Sequence, residues 1–276
     1  MPYEGYECLR VRVDERVAFV TIDHPPINLL DLALIRELAR LAFELGADDA
    51  ISVVVFDSAN RDFFIAHADV ELIQQLPREA PPKPTTLPAF HVMVEAYRTL
   101  PKATIGQIAG RARGGGSEFL LSLDMRFGAI GKAVLAQPEV ALGLIPGGSG
   151  TQRLPRLVGR GRALEVILGC EDVPARLAEA WGWLNRALPP AKLPPFVKRL
   201  AHRIASYPPE AIRLAKASVD AAELSTEQGL LEEAHYFNLS VATPAARARM
   251  ARFLELGGQT RPVELRLDRV LARLAS

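Results

Sequence analysis

Cysteine is nearly absent from the 276-residue chain, with Cys8 and Cys170 its only two. Two cysteines make no disulfide framework, and no Cys, His, Asp or Glu cluster has the spacing of a metal site. Net charge is equally scarce, at +1 for 33 basic and 32 acidic side chains. So balanced a chain has no bulk field for steering nucleic acid or an anionic membrane surface. No apolar run approaches the ~18 residues of a membrane span, and "MPYEGYECLR" lacks a basic-then-apolar leader pattern. A soluble, cytoplasmic protein without membrane or nucleic-acid partners is the expectation. What the chain does have is hydrophobic residues, 49% of the total, enough for one large core or a core plus a smaller satellite domain.

The first half alternates strand and helix signals. "YECLRVRV" and "VAFVTID" read as strands joined by a turn at Asp14-Glu15, and "ISVVVF" as a buried strand. Between them, "DLALIRELARLAFEL" places Leu32, Ile35, Leu38, Leu41, Ala42 and Leu45 on one helical face, with Asp31 at the N-cap and Gly46 past the end. A similar order recurs with "ATIGQIAG", "GGGSEFLLSLD", "MRFGAI" and "AVLAQPEV", followed by short helices near 151–158 and 161–169. Residues 77–88 hold five prolines and read as a loop or lid. From about residue 174 the pattern is helix after helix, beginning with a single helix over 174–188 that carries Trp181 and Trp183. The expected division is a mixed α/β core over residues 1–200 and an α-helical region over 201–276.

Three consecutive glycines, Gly114, Gly115 and Gly116, lead directly into the apolar helix "EFLLSL". Glycine is entropically expensive, so such a run implies a tight turn or a ligand that approaches too closely for a Cβ. Free N–H groups at a helix start suit an anion or a developing negative charge. A phosphate loop is disfavoured, because no G-x-x-x-x-G-K-[ST] pattern is present. Glu118 lies in the first turn of that helix. A second carboxylate, Glu139, follows Pro138 and precedes Gly143 and a second cluster, Gly147, Gly148 and Gly150. Two glutamates in apolar surroundings suit acid–base work, since burial lifts a carboxyl pKa toward neutrality.

These stretches, taken in order, resemble the crotonase superfamily, the enoyl-CoA hydratase/isomerase family. "IDHPPINLL" is similar to its early strand-to-helix segment and "RDFFIAHADVELI" to its F-x-A-G-A-D-[LI] segment. "AGRARGGGSEFLLSLDMRFGA" resembles G-G-G-x-E-L followed by C-D-x-x-x-A. "LAQPEVALGLIPGGSGTQRLPRLVG" resembles the stretch P-E-x-x-x-G-x-x-P-x-x-G-x-x-x-x-L-x-R-x-x-G. The resemblance implies an α/β fold, a spiral of repeated ββα units followed by a helical region that builds trimers, often paired into hexamers. It implies an acyl thioester of coenzyme A as substrate, with CoA entering as part of that substrate rather than as a cofactor.

By alignment the oxyanion donors fall on the N–H groups of Ala66 and Gly115. Substrate contacts fall on Ile65, His67, Ala68, Asp69, Val70, Gly114, Pro138 and Gly147. Glutamate at both acidic positions, Glu118 and Glu139, matches the hydratases, in which one carboxyl activates water and the other delivers a proton to C2. Isomerases often keep only the glutamate matching Glu139. Double-bond isomerisation, acyl-CoA hydrolysis and a non-catalytic CoA- or RNA-binding role stand as alternatives.

The chain departs from the pattern at His67, where the family has glycine; if that position demands a positive φ, histidine sits there under strain. Ala136 also replaces a common glycine. The remaining histidines, His24, His91, His202 and His235, read as structural or solvated. The arginines of "ARARMARF" read as a solvated helix face, or as a contact to the CoA phosphates of a neighbouring subunit.

Overall fold

The computed structural model describes residues 3–76, 82–224 and 226–257. The strands are β1 Leu9–Asp14, β2 Val17–Ile22, β3 Val53–Ser58, β4 Phe63–Ile65, β5 Ala103–Ile108, β6 Arg111–Arg113, β7 Met125–Ala129, β8 Val134–Ala136, β9 Val173–Pro174 and β10 Arg186–Leu188. The helices are α1 Leu32–Ala47, α2 Val70–Gln74, α3 Ala89–Arg98, α4 Gly115–Leu121, α5 Gly150–Val158, α6 Arg160–Gly169, α7 Ala175–Ala180, α8 Leu193–Ala205, α9 Pro209–Asp220, α10 Thr226–Ala242 and α11 Pro244–Glu255. A 3-10 turn covers Glu139–Leu142.

The strands sort into two sheets, ordered β1-β2-β3-β5-β7-β10 and β4-β6-β8-β9. Successive units contribute one strand to each sheet before a helix: β3 then β4, β5 then β6, β7 then β8. The spiral of ββα units follows from that alternation. Among the described strands, only β1–β2 and β8–β9 pair antiparallel. Elsewhere β2, β3, β5, β7 and β10 run parallel, and so do β4, β6 and β8. Parallel strands buried on both faces require continuous apolar runs, and "VVVF" of β3 is buried throughout.

α1 begins where Asp31 accepts from the Leu34 N–H at 2.9 Å. Its buried stripe is Leu34, Leu38, Leu41, Ala42 and Leu45. Leu32, expected on that face, is exposed, and Gly46 lies inside the helix rather than past its end. Each leucine so buried contributes roughly 1.5–3 kcal/mol. Beside it, the Phe56, Tyr97 and Phe119 rings meet edge-to-face at 5.2–5.3 Å, joining β3, α3 and α4.

Two expectations change. The helix predicted over 174–188 stops at Ala180, because Gly182 turns at φ +82° and the chain re-enters the large sheet as β10. Trp183, released from the helix, is fully buried. The boundary expected between residues 200 and 201 falls inside α8. That helix packs Leu193, Val197, Ala201 and Ala205 against Val17, Val53, Val55, Ile105 and Phe127, so it belongs to the core. No described helix is long and apolar enough to cross a membrane.

Candidate active site

Three adjacent parallel strands, β4, β6 and β8, end at one place. Beyond their C-terminal ends come Ala66–Asp69, Gly114 and Gln137–Glu139, the position where open parallel sheets collect ligands. Ala68, Asp69, Gly115, Glu118, Glu139 and Gly147 line a cavity of about 410 Å³ there. Its remaining wall is apolar, formed by Leu30, Ile35, Leu72, Ile73, Leu76, Phe90, Leu144 and Ile145.

The glycine run is required by close approach. Gly114 adopts φ +49°, and a Cβ there would lie 2.5 Å from Glu139 Oε1. A Cβ on Gly115 would meet Leu30 Cδ2 at 2.8 Å, and one on Gly116 the Ile65 carbonyl oxygen at 2.6 Å. α4 is therefore pressed against the segment after β4 as only glycine permits. At the far end of α4, the buried Arg126 guanidinium donates to the carbonyls of Leu120 and Leu123 at 3.2 and 2.6 Å and to Trp183 at 3.0 Å.

Glu118 is 3% exposed. Its Oε1 accepts from the N–H groups of Gly148 and Gly150 at 2.7 and 2.8 Å, leaving Oε2 for the cleft. Burial raises its pKa above the ordinary carboxyl range, while these two N–H donors pull it back. The second glycine cluster thus grips Glu118 and not Glu139, beside which it lies in sequence. A Cβ on Gly148 would meet Glu118 Oε2 at 2.5 Å and the Phe90 ring at 2.4 Å.

Glu139 opens the 3-10 turn. Burial, then the nearby Glu118 charge, outweigh its own backbone N–H and push its pKa up to about 7. Its Oε2 is buried with no hydrogen-bond partner, so little favours the ionised form. The cavity therefore joins a carboxylate held by two donors to a carboxyl poised near neutrality.

Of the two expected oxyanion donors, Gly115 opens α4, where its N–H has no backbone acceptor among the described residues and Gly114 supplies no side-chain cap. Ala66 is a correction. Its N–H donates to the Ile27 carbonyl at 3.3 Å, and its side chain is buried away from the cavity. The N–H turned toward the cavity in this segment is that of Ala68. It pairs with Leu30 in a parallel bridge made by the Leu30 N–H to His67 and the Asp69 N–H to Leu30, so the Ala68 N–H points away from Leu30. That N–H has no backbone acceptor among the described residues and lies 3.6 Å from the Cβ position of Gly115.

The other expected contacts divide. Ile65 is core beneath Gly116, and Asp69 caps α2 by accepting from the Glu71 N–H at 2.9 Å. Val70 and Pro138 flank the site without lining the cavity. His67 is half-buried beside Gly114, and its backbone lies outside the left-handed region, so the strain expected there is absent. Strain sits instead at Ser149, with φ +111° and a buried hydroxyl lacking a partner. The signal was present: Ser149 occupies the glycine of the P-x-x-G portion of the motif. Among the arginines of α11, Arg249 donates to the Ser206 carbonyl at 2.5 Å and Arg252 pairs with Glu255 at 3.1 Å.

Comparison with known proteins matches residues 12–259 to the enoyl-CoA hydratase/isomerase family model. A crotonyl-CoA hydratase of Syntrophomonas wolfei is 32% identical over 254 residues, covering 91% of this chain and 96% of that protein. A short-chain-enoyl-CoA hydratase of Clostridium acetobutylicum is 31% identical over 242 residues, covering 87% and 92%. The crystal structure of an enoyl-CoA hydratase from Bacillus anthracis superposes with a TM-score of 0.83 at 28% identity, covering 90% and 96% of the two chains.

Proposed function

The chain belongs to the enoyl-CoA hydratase/isomerase family, and on that premise we propose that it reversibly adds water to a 2-trans-enoyl-CoA, giving a 3-hydroxyacyl-CoA. The observation that carries this reading is the unequal pair of carboxyls on one apolar cavity. Glu118, held by two N–H groups, is the ionised partner. Glu139, with its pKa near 7, is the proton carrier.

In this reading the thioester carbonyl sits between the N–H groups of Ala68 and Gly115. Glu118 Oε2 orients a water and takes its proton as the oxygen bonds to C3. The electron pair of the C2–C3 double bond shifts toward the carbonyl, where the two donors hold the enolate oxygen. Glu139 then gives its proton to C2 as the enolate collapses. The proton taken up by Glu118 returns Glu139 to its acid form through solvent. Retention of both glutamates favours this chemistry over isomerisation, which moves one proton and adds no water. The proposed substrate brings its own CoA, and no further cofactor enters the scheme.

The chain is further proposed to assemble as a homotrimer or a dimer of trimers. Supporting this, Val219, Leu231, Phe237, Met250 and Leu254, all on α9–α11, are exposed.

The direct test follows the conjugated-thioester absorbance of crotonyl-CoA. Wild type consumes it, and Glu118→Gln and Glu139→Gln each lower kcat by about 10²–10⁴. Unchanged rates in either variant contradict the roles given.

A further inference from the structure

His67 stands where related chains are expected to carry glycine, and its side chain is engaged. Its Nδ1 lies 2.8 Å from the Ala68 carbonyl oxygen. A carbonyl only accepts, so Nδ1 carries the hydrogen and donates it.

That bond acts on the Ala68–Asp69 peptide, the one that follows the Ala68 N–H. On one side, the His67 carbonyl accepts from the Leu30 N–H at 2.9 Å. On the other, the Ala68 carbonyl accepts from the His67 ring. Both carbonyls flanking the Ala68 N–H are thereby held, one by a neighbouring strand and one by the imidazole. The Asp69 N–H of that following peptide also donates to the Leu30 carbonyl at 3.1 Å. α2, which follows at once, is five residues long and buries none of them. His67 Cβ also lies 3.8 Å from the Cβ position of Gly114, so the residue sits against the turn that leads into Gly115.

We propose that His67 is a positioning residue for the oxyanion donor, its imidazole holding the carbonyl that follows the Ala68 N–H and so fixing the Ala68 backbone with its N–H toward the thioester carbonyl. The inference rests on the proposed hydratase reading. Neither glycine nor alanine at position 67 supplies a donor to the Ala68 carbonyl. Asparagine does, because its amide nitrogen occupies the same place along the side chain as Nδ1. Leucine matches the bulk without the donor.

The experiment uses the full-length chain with cinnamoyl-CoA as a bound chromophore, whose absorbance shifts to the red as its carbonyl is polarised. In parallel, kcat and KM are measured with crotonyl-CoA. His67→Leu is expected to lose most of the red shift and to lower kcat about tenfold while KM stays within about twofold. That loss is smaller than the 10²–10³ of deleting a donor outright. His67→Asn is expected to keep both the red shift and kcat near wild type. The inference is overturned if His67→Leu matches wild type in both readouts, or if His67→Asn is as impaired as His67→Leu. A wild type that binds cinnamoyl-CoA with no red shift overturns the site reading, and this inference with it.

Discussion

Glu118 and Glu139 line one cavity but are held in different ways. Glu118 is the more deeply buried, yet two N–H groups from a turn thirty residues later support its charge. Glu139 is less buried and has one oxygen with no partner. Burial alone would make Glu118 the harder to ionise. Hydrogen bonding reverses that order, because two charge-assisted donors offset much of what desolvation costs. The comparison teaches that the two roles are assigned by backbone donors and not by depth.

Breaking the grip on Glu118 should have the largest effect. Gly148→Ala places a Cβ against Glu118 Oε2 and the Phe90 ring, so carboxylate and turn must move apart. The expected loss in kcat is roughly 10²–10³, comparable to removing one preorganised donor, with a circular dichroism spectrum like that of wild type. A Gly148→Ala enzyme at full rate would show that the turn does not hold the base.

A pH series sharpens the comparison without mutation. Hydration needs Glu139 protonated, and its pKa is about 7. The hydration kcat/KM should therefore fall as pH rises through about 7, about tenfold per unit beyond it, with a second limb in acid where Glu118 becomes protonated. Dehydration of the 3-hydroxyacyl-CoA uses the same single proton on the pair, now on Glu118, so its kcat/KM should follow the same pH profile. The smallest effect is expected at Ser149, which sits between the two donors. Ser149→Gly removes a left-handed serine and its unpartnered hydroxyl, and should raise stability by about 1 kcal/mol in urea unfolding with activity retained.

Much of this was legible in the sequence, where the information was local. The β1–β2 hairpin, the Asp31 cap of α1 and the glycine turn before Glu118 each rest on neighbouring residues. The two carboxylates stood out because acidic residues are unusual in apolar runs. What escaped was set by distant contacts. The N–H that faces the cleft is decided by the bridge between Ala68 and Leu30, a contact across nearly forty residues that the six letters "FIAHAD" do not contain. The Gly148 and Gly150 grip on Glu118 joins turns that look independent in sequence. β10 is three residues long, too short to carry a period, and its place is set by pairing with β7. The apolar wall from α2 and α3 likewise comes from packing.

The central claim, that Glu139 works at C2 and Glu118 at the water, is tested most directly with butyryl-CoA in D2O. This saturated thioester has no double bond to hydrate, so exchange of its C2 hydrogens needs the oxyanion donors and the C2 acid–base group alone. Followed by proton NMR, Glu118→Gln should exchange at a rate near wild type, while Glu139→Gln should lose exchange by orders of magnitude. Exchange that survives in Glu139→Gln, or disappears equally in both variants, would contradict the division of labour.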